Sequence, residues 1–171
     1  MNRRHFIHHA AAGLAGFGLL TTLGCSKAIS GGSDGRPSAS DPKWQLSDAE
    51  WRQRLSPARY RILRQAGTEP SGSSALNDEQ RKGIYHCAGC DLPLYSSETK
   101  FHSGTGWPSF YAPLPDAVAM QKDRSFFMTR TEVHCRRCAG HLGHVFDDGP
   151  KPTGLRYCMN GLALTFAPAR A

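Results

Sequence analysis

The sequence carries six cysteines, and their spacing sorts them by chemistry. Cys87-Ala88-Gly89-Cys90 and Cys135-Arg136-Arg137-Cys138 are two C-x-x-C pairs. Two residues separate the sulfurs in each, so one tight turn can aim both at a single point. Four thiolates from two such turns make the tetrahedral ligand set of a closed, structural zinc site. The 44 residues between Cys90 and Cys135 exceed ordinary zinc-finger spacing, so the ion would clamp two distant parts of one domain. Two disulfides are a competing reading where the chain is exported. A thioredoxin-type redox pair is another, but it belongs at a strand-to-helix junction in a βαβ unit, and no such rhythm is present. His141 and His144 stand near enough to Cys138 to substitute as ligands.

Cys158 is the thiol left over in the domain. If Leu155-Arg156-Tyr157-Cys158-Met159-Asn160 is a strand, period two puts Arg156, Cys158 and Asn160 on one face. The Arg156 guanidinium would then favour the thiolate and lower its pKa. The Asn160 amide could orient a partner or bind substrate. The competing reading is an inert buried cysteine, the common fate of a free thiol. His141 and His144, in Gly140-His141-Leu142-Gly143-His144, weigh against it, because imidazoles exchange protons near neutral pH and complete an acid–base and nucleophile set. Trp107 sits in the Gly/Pro-shaped turn Gly104-Thr105-Gly106-Trp107-Pro108, either as core or as a binding wall.

These groups need a scaffold. Ser47 and Glu50 form a capping box that starts a helix. Ser56-Pro57 breaks it and starts a second short helix, which ends near Gly67. Residues 68–83 are polar and turn-rich and read as a loop. From Ile84 short apolar runs alternate with turn residues, at 83–87, 92–95, 117–120, 125–133, 143–147 and 156–166, a strand pattern. The expected class is mainly β with short N-terminal helices (α+β).

The N-terminus reads as an address. Arg3-Arg4 precedes a weakly apolar run over residues 10–23, too short to span a bilayer that takes ~20 helical residues. Residues 1–25 are expected to be a twin-arginine-type signal segment of a bacterial protein. Leu23-Gly24-Cys25 fits a degenerate lipobox, and Ser26-Lys27-Ala28 offers ordinary cleavage instead; Cys25 lies outside the folded domain either way. Residues 26–43 read as a flexible linker and 44–168 as the domain. The expected location is the periplasm, with a lipid anchor on Cys25 as the sole membrane attachment. The net charge of +7 is scattered rather than clustered, which gives no argument for nucleic acid.

Taken together, CAGC, KFHSGTGWPSFY, CRRCAGHLGHVFDDGPKPTGLRYCMN and GLALTF resemble the B-type methionine sulfoxide reductases, over roughly residues 44–168. The resemblance implies two antiparallel sheets, a structural zinc on Cys87, Cys90, Cys135 and Cys138, and Cys158 as nucleophile. It implies that Trp107 packs against the sulfoxide methyl group of a protein or peptide substrate. His141 and His144 would help protonate the oxygen, Arg156 would support the thiolate, and Asn160 would fix local geometry. The product on Cys158 would be a sulfenic acid.

Three positions depart from the family pattern. Thr105 stands where many members carry a resolving cysteine, so reduction by an external thioredoxin-like thiol is expected. Gly72 stands about where Phe is common, and His102 where Asp is common. The expected enzyme is a monomer. The rival functions are a zinc-ribbon-like binding module, which leaves Cys158 and the histidines unused, and a thiol peroxidase or disulfide exchanger.

Overall fold

A computed structural model describes residues 39–124 and 128–170. The expected signal segment lies outside the described residues, as does the linker up to residue 38. The last linker residues are engaged: Ser40 Oγ donates to the Arg136 carbonyl at 2.7 Å, and Asp41 caps a single 3-10 turn at Pro42–Trp44.

The capping box is present. Ser47 accepts from the Glu50 N–H, and Glu50 reaches back to the Ser47 N–H at 2.7 Å, opening helix α1 (Asp48–Arg54). Ser56 caps α2 (Pro57–Gln65), whose end is turned by Ala66 in the left-handed region. Both helices are short and rely on tertiary packing. Trp51, Tyr60, Ile62 and Leu63 are their buried residues.

Nine strands follow in two antiparallel sheets. β1 (Gly83–Cys87), β2 (Pro93–Ser96) and β9 (Leu164–Pro168) form one in the order β2-β1-β9. The other contains β3 (Lys100–Phe101), β4 (Ser109–Phe110), β5 (Val118–Asp123), β6 (Arg130–Cys135), β7 (His141–Phe146) and β8 (Arg156–Met159), in the order β3-β4-β8-β7-β6-β5. Tyr85, Leu94 and Tyr95 of the small sheet are buried, as are Phe110, Val133, Tyr157 and Met159 of the large one. Tyr95 stacks on Phe110 with centroids 4.4 Å apart and its hydroxyl donates to Met159 Sδ at 3.2 Å. The apolar core therefore lies between the sheets, and the opposite face of β8 is free to present Arg156 and Cys158.

One expected strand is split. The apolar run 156–166 reads as continuous, yet the chain leaves β8 at Asn160, makes a 3-10 turn at Gly161–Ala163, and enters the other sheet as β9. The buried Glu69 carboxylate, 2% exposed, accepts from the Gly161 N–H at 2.5 Å and the Leu162 N–H at 2.9 Å. Those two donors would otherwise belong to a strand ladder, so their capture ends β8. No helix among the described residues is long and apolar enough to cross a membrane.

Candidate active site and metal centre

The four paired cysteines are buried and converge, with all four sulfurs within 4.8 Å of one another. Cys87 Sγ and Cys138 Sγ are 3.7 Å apart, and Cys90 Sγ and Cys135 Sγ 3.4 Å. A tetrahedral zinc with bonds of ~2.3 Å spaces its sulfurs by about 3.8 Å, whereas a disulfide needs ~2.05 Å. Contacts among the thiols pull Cys135 far below the usual thiol range and push Cys138 far above it. Four thiols packed this closely are reconciled by a cation that takes them all as thiolates. The residues present fit zinc, and this is the protein's structural zinc site.

The two knuckles share one geometry. The Asp91 N–H donates to the Cys87 carbonyl at 2.8 Å, and the Ala139 N–H to the Cys135 carbonyl at 2.9 Å. Asp91 and Ala139 both adopt positive φ. Helix α2 braces the second knuckle through Arg64, whose Nη1 donates to the Cys138 carbonyl at 3.0 Å. Arg137 ties the knuckles together by donating to the Cys90 carbonyl at 3.0 Å. One pair follows β1 and the other β6, so the ion staples the two sheets.

The second centre is a polar row across the large sheet. Ser109 on β4 pairs with Cys158 on β8, Cys158 with His144 on β7, His144 with Glu132 on β6, and Glu132 with Gln121 on β5. Residues directly opposite on neighbouring strands share a face, so these five side chains line up. The close approach of β7 and β8 requires glycine at 143, where a Cβ would sit 2.1 Å from the Cys158 carbonyl oxygen. A small cavity of about 150 Å³ opens on the row, lined by Thr68, Trp107, Arg130, Gly143, His144, Phe146, Cys158 and Asn160.

Cys158 is half-buried at this cavity, with Thr105 Oγ1 3.8 Å from its sulfur. Burial raises its pKa above the ordinary thiol value; Thr105, the Arg156 charge and Ser109 oppose this without overcoming it. Arg156 acts in the expected direction, favouring the thiolate, but desolvation outweighs it and the net shift is upward. Arg156 is fixed by Asp148 in a bidentate pair, with Nε–Oδ1 and Nη2–Oδ2 both at 2.8 Å, and stacks over Phe146 at 4.4 Å, while its guanidinium still favours the Cys158 thiolate.

The two histidines separate. His144 lines the cavity, with Nε2 2.9 Å from Asp123 Oδ2, and Asp123 is held by Arg130 at 2.7 Å. Its pKa is pushed down, mainly by burial, against the pull of Asp123. His141 stands behind it, 3% exposed, with ring centroids 5.5 Å apart and Nδ1 2.5 Å from Glu132 Oε1.

Trp107 and Asn160 are joined through a residue that sequence reasoning misses. The Glu69 N–H donates to Asn160 Oδ1 at 3.0 Å, and its carbonyl accepts from Trp107 Nε1 at 3.1 Å. Asn160 Nδ2 donates to the Leu142 carbonyl at 3.1 Å. Glu69 lies in a segment that reads as loop, and its one sequence signal is a lone carboxylate between Thr68 and Pro70. Gly106 lets that segment approach the Trp107 turn: a Cβ there would strike Ser71 Oγ at 2.0 Å. Gly72, at φ 74°, donates its N–H to the Gly106 carbonyl at 2.8 Å, so the departure from Phe leaves this segment docked. His102 is exposed, and nothing in the structure explains it.

A zinc-stapled β domain with one cavity thiol, two histidines and an indole wall defines a class of thiol oxidoreductase. Residues 55–168 match the SelR domain. Over 121 residues the chain is 57% identical to the peptide methionine sulfoxide reductase MsrB of Leptospira interrogans (serogroup Icterohaemorrhagiae, serovar Lai), spanning 70% of this chain and 92% of that protein. It is 52% identical over 128 residues to the protein of that name from Agrobacterium fabrum, spanning 74% and 95%. Against the Methanosarcina barkeri protein of that name it is 54% identical over 123 residues, spanning 71% and 87%. The chain belongs to the SelR-domain family of B-type methionine sulfoxide reductases.

Proposed function

We propose that this protein reduces the R epimer of methionine sulfoxide in proteins and peptides, with Cys158 as nucleophile. The observation that carries the reading is the position of Cys158: half-buried, in register with His144, and opening with Trp107 and Asn160 on one small cavity. The Trp107 indole face gives the substrate methyl group an apolar wall, and its N–H is already occupied by Glu69. The Cys158 sulfur attacks the sulfoxide sulfur. The substrate S–O bond breaks and a Cys158 S–O bond forms; the substrate sulfur gains the two electrons that Cys158 loses. The thiol proton ends on the transferred oxygen, passed through the imidazole pair, so that no bare oxide has to leave. Methionine departs, and Cys158 is a sulfenic acid.

Because burial raises the thiol pKa, attack as a thiolate needs a base to take the proton from sulfur, and His144 is the imidazole that lines the cavity with it. Cys87, Cys90, Cys135 and Cys138 would hold zinc as a closed tetrathiolate, which would supply a structural staple and no open position for substrate. Thr105 Oγ1 lies 3.8 Å from the Cys158 sulfur, where a second thiol would serve, and the other cysteines of the described residues are the zinc ligands. An external thioredoxin-like dithiol therefore completes the cycle, leaving as a disulfide and releasing the oxygen as water. Arg3-Arg4 and the run at 10–23 support export to the periplasm, and Cys25 supports a lipid anchor.

The test is reduction of the separate R and S epimers of a methionine sulfoxide peptide by wild type and Cys158→Ser. R-only turnover that vanishes in the variant is the expected result. Turnover of the S epimer by wild type, or survival of activity in Cys158→Ser with zinc bound, would overturn the assignment.

A further inference from the structure

The buried carboxylate of Glu132 sits in the polar row two strands from Cys158, yet it touches neither the cavity nor the thiol. Its contacts face the histidines. Oε1 lies 2.5 Å from His141 Nδ1; Oε2 accepts from Gln121 Nε2 at 3.1 Å and lies 3.6 Å from His134 Nε2. It is anchored from β5, β6 and β7 at once, and only 9% exposed. The other ring nitrogen of His141, Nε2, is buried with no hydrogen-bond partner. That ring stands edge-on to His144, which does line the cavity. An unpartnered buried nitrogen costs free energy, and such an atom in a native fold calls for an explanation.

We propose that Glu132 is a positioning residue for sulfoxide reduction: it holds the His141 proton on Nδ1 and so leaves Nε2 as the atom that exchanges a proton with the His144 side of the cavity. A carboxylate cannot donate, so whichever His141 nitrogen faces it carries the hydrogen. Of the two tautomers of a neutral imidazole, only the one protonated at Nδ1 satisfies this contact. The alternative would point a bare nitrogen at a carboxylate and a hydrogen at no partner. The logic is that of a carboxylate fixing a catalytic imidazole from behind. Asp123 does the opposite for His144 by taking Nε2, so the two rings are held by different nitrogens. Glu132 keeps Glu–His spacing through register: it pairs with His144, while a bulge at Val133/His134 brings His141 over it. This rests on the reading of Cys158 and the histidines given above.

Long-range proton–nitrogen NMR on the full zinc-loaded protein reads the tautomer directly. In wild type at pH 7.5 the His141 hydrogen is expected on Nδ1. Glu132→Leu should move it to Nε2 and lower kcat for the R epimer at least ~10-fold, and by no more than the ~10²–10⁴ that a directly acting acid–base group supplies, with KM within about twofold. Glu132→Gln, whose carbonyl can still accept from Nδ1, should recover part of kcat. A wild-type hydrogen on Nε2 overturns the proposal by itself, even if Glu132→Leu does not fold. So does a Glu132→Gln kcat that falls only in step with zinc content and thermal midpoint, or a Glu132→Leu kcat within twofold of wild type. Failure of the site reading would be seen separately, as S-epimer turnover or an active Cys158→Ser, while the tautomer measurement stands.

Discussion

Replacing Glu69 should break the turn that separates β8 from β9 and disturb the cavity with it. In Glu69→Leu the shape is nearly kept, but the Gly161 and Leu162 N–H groups lose the carboxylate oxygens now at 2.5 and 2.9 Å. Each buried N–H left without an acceptor costs about 1–3 kcal/mol. Leu162 borders an open groove where water can replace the lost acceptor, so the sum falls near the lower end, about 2–3 kcal/mol. For a domain of this size that lowers the thermal midpoint by about 6–15 °C. Glu69→Gln keeps one acceptor but sets an amide NH₂ against a backbone donor, at about half that cost. The activity loss should exceed what unfolding explains, because the Glu69 backbone also holds Asn160 Oδ1 and Trp107 Nε1. Circular-dichroism melts and R-epimer kcat/KM at 20 °C, far below either midpoint, measure the two effects apart. A Glu69→Leu midpoint within about 2 °C of wild type, with unchanged kcat/KM, would show that the carboxylate neither ends β8 nor organises the wall.

Three further outcomes follow from the same geometry. Thr105→Cys puts a thiol where a hydroxyl now lies 3.8 Å from Cys158 Sγ, so turnover without reductant should leave a disulfide between the introduced thiol and Cys158, seen as one blocked thiol pair by mass spectrometry; two free thiols after turnover would count against the placement of this loop. Because burial raises the Cys158 pKa, iodoacetamide labelling of Cys158 in the zinc-loaded protein should climb continuously from pH 7 to 9, and Arg156→Met should slow it further at every pH; a labelling plateau below pH 8 would refute the direction assigned here. Cys135→Ser should abolish stoichiometric zinc and, with it, cooperative unfolding, because Cys135 closes the staple between the sheets; retention of a full zinc complement would be the contrary result.

Some of this was legible in the residues. The capping box at Ser47 and Glu50, the break at Ser56-Pro57 and the first strand, Gly83–Cys87, came from local rules that tertiary contacts had no reason to override. The two C-x-x-C pairs announced a tetrathiolate because a two-residue gap constrains the sulfurs whatever the rest of the chain does. Strand periodicity put Arg156 and Cys158 on one face, since it is a property of the backbone itself; that Tyr157 and Met159 on the other face form the core came from the packing of the sheets.

Other features depend on which strands meet. The sequence shows His141 and His144 three residues apart, which says nothing of which one reaches the cavity; the β6–β7 bulge and the separate carboxylates Glu132 and Asp123 decide that. The thiol's pKa turned on burial, a sum over elements far apart in the chain, and it reversed the sign expected from Arg156 alone. The run 156–166 is uniform enough to be one strand, and only Glu69, 92 residues before Gly161, makes it two by taking N–H groups that a ladder would have used. Thus residue types and short spacings determined the metal ligands, the one unpaired thiol of the domain and the helix starts, because those obey local geometry. Tertiary structure alone decided which histidine lines the cavity, how burial shifts the thiol and where β8 ends, because these depend on burial and on partners remote in sequence.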